Sequence, residues 1–134
     1  MSRAVAVDLG QRRIGVAVSD AAGTMAFPRP VVQRQGNWIR AIADVVAEID
    51  AVVVVVGLPL SLDGREGPAA LAARAAVDEL AAAVAVPVET FDERLTTVSA
   101  EAALAEAGKR GPARRQSVDS AAATVLLQAW LAAR

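Results

Sequence analysis

The sequence predicts an α/β fold built on a mixed five-stranded sheet with helices on both faces. Three observations carry this reading. Residues 4–33 hold three short apolar segments separated by turn signals, the pattern of strands joined by hairpins. Ala51–Val56 reads AVVVVV, a continuous apolar run typical of a central strand covered on both faces. Beyond it, helical and strand patterns alternate, as parallel crossovers require.

Ala4–Leu9 and Ile14–Ser19 form the first hairpin, with Gly10 between them. Gly23 marks a turn, and Met25–Gln33 is a third strand that Pro28 and Pro30 confine to a sheet edge or a bulged path. Asn37 is the predicted N-cap of a helix in which Ile39, Ile42, Val45, Val46 and Ile49 recur at helical spacing, with Asp50 as its end. After the AVVVVV strand and Gly57-Leu58-Pro59 comes a polar loop, then Pro68 in the first turn of a helix over Ala69–Val84. Pro87–Phe91 is a short strand closed by Asp92-Glu93-Arg94. Thr96 or Thr97 caps a helix to about Ala107, where Gly108 supplies the stop. Gly108–Ser117, GKRGPARRQS, is expected as a basic loop, and Ser117 as the cap of a last helix from Val118 to about Ala133.

The 134 residues fit one domain, and 54% hydrophobic with 22% charged residues is enough to bury a core. No apolar run approaches the roughly 18 residues of a membrane span, and Asp8 breaks the only N-terminal apolar stretch, so the expectation is a cytoplasmic protein with no membrane partner. The sequence has no Cys, His or Tyr. That excludes disulfides, thiolate nucleophiles, Ser-His triads, His or Cys zinc sites and tyrosine-linked strand transfer. Carboxylates holding a hard cation are the natural chemistry of what remains. Net charge is −1, so any attraction for nucleic acid comes from local patches.

Three acidic positions stand out. Asp8 ends the first strand, Asp92 and Glu93 end the last, and Asp119 is expected in the first turn of the last helix. Each has an ordinary explanation alone: Asp starts turns, Asp92 and Glu93 can pair with Arg94, and an acid favours a helix N-terminus. In open α/β sheets, however, sites form at the carboxyl ends of strands. Asp119 also shares a helix face with Ala122, Ala123, Leu126 and Trp130, a face otherwise apolar and fit to pack on the sheet. Together the acids suit a divalent cation. Lys109, Arg110, Arg114 and Arg115 in the basic loop, and Arg12 and Arg13 beside Asp8, are candidate phosphate contacts. Gly15 inside a strand points to a close approach, more often of neighbouring backbone than of a ligand. No G-x-x-x-x-G-K-[ST] phosphate loop is present.

The segments DLGQRRIGVAVSD, VGLPLSLDGREG, DERLTT and VDSAAATVLLQ resemble, in order and over nearly the whole chain, the motifs of the YqgF/RuvX family. That family is named for Holliday junction resolution and implicated in maturing the precursor of small-subunit ribosomal RNA. The resemblance implies an RNase H-like fold related to the RuvC resolvase, as one nuclease domain over residues 1–134. It matches Asp8 to the family's first-strand acid, Glu93 to the acid of its DER motif and Asp119 to its last-helix acid. Asp92 ranks second, as a structural or outer-shell acid. Arg114 and Arg115 fall where the family usually has lysines, so the positive charge is kept.

A metal-dependent endonuclease follows as the expected function. Two Mg²⁺ or Mn²⁺ ions about 3.5–4 Å apart would neutralise phosphodiester and hydroxide, with Asp8 bridging and Glu93 and Asp119 each completing one ion. The expected substrate is a ribosomal RNA precursor or branched DNA. The protein is expected as a monomer or, for symmetric cutting, a C2 homodimer. Two alternatives differ in class. Actin-like ATPases also begin with an Asp-x-Gly hairpin, but they need two such domains and a second phosphate-binding hairpin. A non-catalytic RNA-binding ribosome-assembly factor would use the same surface without cutting.

Overall fold

The computed structural model describes residues 2–60, 63–95 and 111–134, the last segment by its backbone alone up to residue 119. Five strands form one mixed sheet: β1 (Ala4–Leu9), β2 (Arg13–Ser19), β3 (Ala26–Gln33), β4 (Val53–Leu58) and β5 (Val88–Asp92), in the order β3-β2-β1-β4-β5. β1 pairs antiparallel with β2 and parallel with β4, and β4 is parallel to β5. Among the described residues three α-helices accompany them: α1 (Trp38–Glu48), α2 (Pro68–Ala83) and α3 (Gly111–Ala132). The helix expected from residue 96 or 97 to 107 lies outside the described residues.

Side-chain alternation along the strands sorts the core into two layers. Val5 and Val7 of β1 and Val54 and Val56 of β4 join Ile42 and Val46 of α1 and Leu80 of α2. Ala4 and Ala6, with Ala17, Val53 and Val55, face Ala123, Leu126, Leu127 and Trp130 of α3. Helices therefore cover both faces, as the unbroken apolar run of β4 requires. The α3 face of the sheet is rich in alanine, which lets the helix lie close. Leu126 and Leu127 are fully buried there, each stabilising by roughly 1.5–3 kcal/mol.

β3 is an edge strand, as its prolines predict. Its outer edge is occupied near its start by Gln128, whose Nε2 donates to the Thr24 carbonyl at 2.9 Å and whose Oε1 accepts from the Ala26 amide at 3.2 Å. Asp50 closes α1 with φ of 53°, a left-handed turn that Asp tolerates. Asn37 stands at the N-cap of α1, but its side chain makes no capping bond.

One boundary differs substantially from expectation. The last helix begins at Gly111, seven residues before Val118, so Ser117 is inside it and does not cap it, and the expected basic loop is helical from Gly111 onward. Pro112 falls in the first turn, where its missing N–H has no intrahelical partner to lose. Ala-Arg-Arg-Gln then continue with good helix formers. Gly and Pro had marked a loop, but here they mark a helix start.

Candidate active site

The parallel strands β1, β4 and β5 end together. Val7 is level with Val56, Gly57 with Phe91, and Leu58 with Asp92. Asp8 has the parity of Ala4 and Ala6, and Gly57 that of Val53 and Val55, so both belong to the face that α3 covers. Phe91 packs against the same layer, and Glu93 follows two residues later as the first residue of a 3₁₀ turn, Glu93–Leu95.

β4 lies between β1 and β5, so Glu93 must cross it to approach Asp8. It does so at Gly57. A Cβ placed there would stand 2.9 Å from Glu93 Cγ and 3.0 Å from Cδ, closer than real Cβ contacts come. Glu93 and Asp8 share a hydrogen bond. Burial, that hydrogen bond and the charges of Asp8 and Asp92 push the Glu93 carboxyl up to about 8. Two buried-side acids facing each other form a site that prefers either a shared proton or a cation.

Asp92 is engaged elsewhere. Its carboxylate accepts from the Arg94 Nε at 2.9 and 3.0 Å and from NH2 at 2.5 Å, and the Arg94 amide also donates to it. These bonds hold its pKa below the usual carboxylate value. Asp92 thus anchors the 3₁₀ turn that presents Glu93.

Asp119 is the ninth residue of α3 and not in its first turn. The helix-dipole explanation for an acid there falls away, because that effect fades within one turn. Its carboxylate lies outside what is described, but the next residue is firmly placed. Ser120 is fully buried; its Oγ donates to the Arg29 carbonyl at 2.7 Å and accepts from the Val16 amide at 3.4 Å. This bridge sits where the β2–β3 register shifts between Ile14 and Val16. Gly15, the residue of the shift, is paired with Asp8. Ser120 therefore docks this part of α3 beside β2, the strand that pairs with Asp8.

The Asp8 strand ends in a tight turn. The Gly10 amide donates to the Arg13 carbonyl at 3.0 Å, and a Cβ on Gly10 would overlap that carbonyl oxygen. Arg12 and Arg13 are both exposed on this turn, beside Asp8. Arg114 and Arg115 lie in the first part of α3, and Lys109 and Arg110 fall outside the described residues. Among the described residues no three ligating side chains cluster into a metal centre.

Sequence reasoning named Asp8 and Glu93, which the fold brings together. It missed the roles of Gly57 and Ser120. Gly57 carried a signal, a glycine closing an otherwise β-branched central strand, which marks close approach. Ser120 carried none, since a serine in a helix interior normally reads as neutral. A shallow apolar hollow lined by Val46, Ala47, Ala83 and Val84 opens at the opposite end of the strands and contains neither acid. No helix among the described residues is long and apolar enough to cross a membrane.

The strand order, the two helical layers and an acid pair at the carboxyl ends of β1 and β5 define an RNase H-like fold of the resolvase type. The fold is similar to that of T. thermophilus RuvC in complex with a Holliday junction substrate, with a TM-score of 0.65 at 17% identity over 100% of this chain and 96% of that one. It is also similar to the Fowlpox virus resolvase in complex with Holliday junction DNA, with a TM-score of 0.60 at 11% identity over 98% and 97%. The chain belongs to the RuvX family, described as Holliday junction resolvase, whose model matches residues 2–133. Two curated relatives carry the name "Putative pre-16S rRNA nuclease". One, from Mycobacterium ulcerans (strain Agy99), is 49% identical over 96% of this chain and 78% of its own. The other, from Anaeromyxobacter dehalogenans (strain 2CP-C), is 45% identical over 96% of each.

Proposed function

We propose that this chain is a divalent-metal-dependent endonuclease, acting as one nuclease domain over residues 1–134. It hydrolyses phosphodiester bonds of structured nucleic acid, at the 5′ end of the small-subunit ribosomal RNA precursor, in Holliday junctions, or in both. The observation that carries the proposal is the side chain of Glu93 crossing Gly57 to meet Asp8. A strand-end glycine kept clear for a carboxylate, and a second carboxylate facing it, make a costly arrangement without a cation. Two acids held together repel once both are ionised, and burial adds to the cost.

The donor set fits Mg²⁺ or Mn²⁺. Both are hard cations that take carboxylate oxygen, and the sequence offers no His or Cys to favour zinc. Asp8 and Glu93 would hold the metal, and Asp119 would join them from α3. Bound there, the metal would supply charge neutralisation, an activated water and stabilisation of the leaving oxygen. The chain's own part is to fix the carboxylates. Gly57 gives Glu93 its path, Asp92 and Arg94 hold the turn that carries it, and Ser120 fixes the helix that carries Asp119. Arg12 and Arg13, with Lys109, Arg110, Arg114 and Arg115, would bind the phosphate backbone.

The test sets a four-way DNA junction and a ribosomal RNA precursor side by side with purified protein and Mn²⁺. Cleavage of either, lost with EDTA, is the expected result and identifies the substrate. Binding to RNA with no cleavage of either substrate would overturn the nuclease and leave an assembly factor. Light scattering of the free and bound protein distinguishes the monomer from the C2 dimer that symmetric cutting of a junction would need.

A further inference from the structure

Arg34 links three parts of the structure that its neighbours in sequence do not explain. Its backbone amide donates to the Arg12 carbonyl at 2.8 Å. Its guanidinium NH1 donates to the Gly10 carbonyl at 2.9 Å. Its Cζ lies 5.8 Å from the centroid of the Trp38 ring at the start of α1. Trp38 in turn packs against the core layer beneath α1. A chain of contacts therefore runs from the core, through Trp38 and Arg34, to the turn that follows Asp8.

The turn needs such support. Gln11 and Arg12 are its central residues, and neither takes the positive φ that gives a two-residue hairpin its closed, twisted form. The Gly10 amide is satisfied by Arg13, while the Gly10 carbonyl is taken by Arg34. An arginine fork suits this place because it can donate in plane to a carbonyl while its face lies over an aromatic ring. Asp8 is two residues from Gly10, and Arg12 and Arg13 are on the turn itself.

We propose that Arg34 is a positioning residue: it pins the Gly10–Arg13 turn against α1, fixing the Asp8 carboxylate and the direction in which Arg12 and Arg13 are presented. This rests on the nuclease reading for its effect on cleavage, but the pinning itself does not. Misplacing a reacting group by about 1 Å can cost about 10² in rate, so a turn that loosens slightly is enough to matter.

The experiment compares wild type, Arg34→Ala and Arg34→Lys by amide hydrogen exchange and by cleavage at saturating substrate. In Arg34→Ala the Gly10 amide is expected to exchange at least roughly tenfold faster, while the Val5 and Val7 amides of β1 keep their protection. Cleavage kcat is expected to fall by roughly tenfold or more, with Arg34→Lys recovering only part of both losses, because an ammonium can still donate to the carbonyl but lacks the planar fork that lies over Trp38. Unchanged exchange at Gly10 would overturn the proposal. So would a drop in the salt dependence of binding with kcat intact, which would make Arg34 a direct phosphate contact. If wild type cleaves nothing, the nuclease reading fails by itself, and the exchange result still decides whether Arg34 pins the turn.

Discussion

Glu93 approaches Asp8 across the bare backbone of Gly57, whose missing Cβ would stand 2.9 Å from Glu93 Cγ. Gly57→Ala is therefore a minimal change aimed at one carboxylate. The clashing atoms belong to a movable side chain, so the stability cost should be at the low end of overpacking, about 1 kcal/mol. The functional cost should be larger, because Glu93 can relieve the clash only by leaving Asp8. Cleavage is expected to fall at least tenfold while melting temperature drops by a few degrees. Wild-type cleavage in Gly57→Ala would show that the Glu93–Asp8 approach is dispensable.

The raised Glu93 pKa makes a stability prediction for the metal-free protein. Folding favours the protonated form, with a pKa of about 8 against an ordinary 4.5. A raised pKa contributes stability that is full below the unfolded value and is lost as pH rises through the folded one. Melting temperature without metal should therefore fall between pH 5 and 8.5, and Glu93→Gln should flatten that slope. Asp92 works in the opposite sense: its lowered pKa adds stability that is lost only in acid, below this window. Thermal melts across the range, with EDTA present, check both.

Divalent metal should reverse the Glu93 effect, because a ligand bound only by the native state stabilises by mass action. Rising Mn²⁺ is expected to raise the melting temperature of wild type and not of the double variant Asp8→Asn, Asp119→Asn. The same substitutions are near-isosteric and should abolish cleavage without unfolding the protein. An equal rise in both proteins would place the metal elsewhere.

Most of the sheet was legible because apolar runs of five or six residues bounded by Gly, Pro and Asp have few other readings. Pro28 and Pro30 placed β3 at an edge, and AVVVVV placed β4 inside. The start of α3 was not legible. Pro112 and Gly111 are punctuation in a loop and equally good residues at a helix N-terminus, and only the tertiary packing of α3 on the sheet decides between them. Asp8, and Asp92 with Glu93, stood out at strand ends, and the resemblance to the DER motif ranked Glu93 over Asp92. What joined them, Gly57 opposite Phe91 in a neighbouring strand, depends on register, which one-dimensional patterns do not specify.

Ser120 gives a different kind of prediction, since it is not itself a proposed ligand but follows Asp119 on α3. Its hydroxyl satisfies the Arg29 carbonyl and the Val16 amide at the β2–β3 irregularity. Ser120→Ala leaves the buried Val16 amide and the half-buried Arg29 carbonyl without that partner, at a cost of about 1–3 kcal/mol. If the bond also sets the position of α3, metal affinity should weaken beyond what stability explains. Calorimetric Mn²⁺ titration well below the melting temperature reads this. Unchanged affinity would limit Ser120 to holding the fold.

Arg114 and Arg115 are predicted to bind phosphate from a helix and not from a loop, which sharpens what their removal should do. The chain carries a net charge of −1, so attraction for a polyanion depends on a few local cations. Every phosphate that a side chain no longer neutralises should reduce the slope of log K against log salt by about 0.7 to 0.9. Arg114→Ala with Arg115→Ala is expected to weaken binding and to lower that slope by the equivalent of one to two phosphates. The loss should be similar for unrelated sequences, because phosphate contacts carry no base information. Alanine is the best helix former, so the helix that begins at Gly111 should persist and melting temperature should hold. Fluorescence anisotropy at several salt concentrations measures the slope. If the slope is unchanged while the helix persists, these arginines face solvent only, and the substrate path runs over Arg12 and Arg13 on the turn beside Asp8.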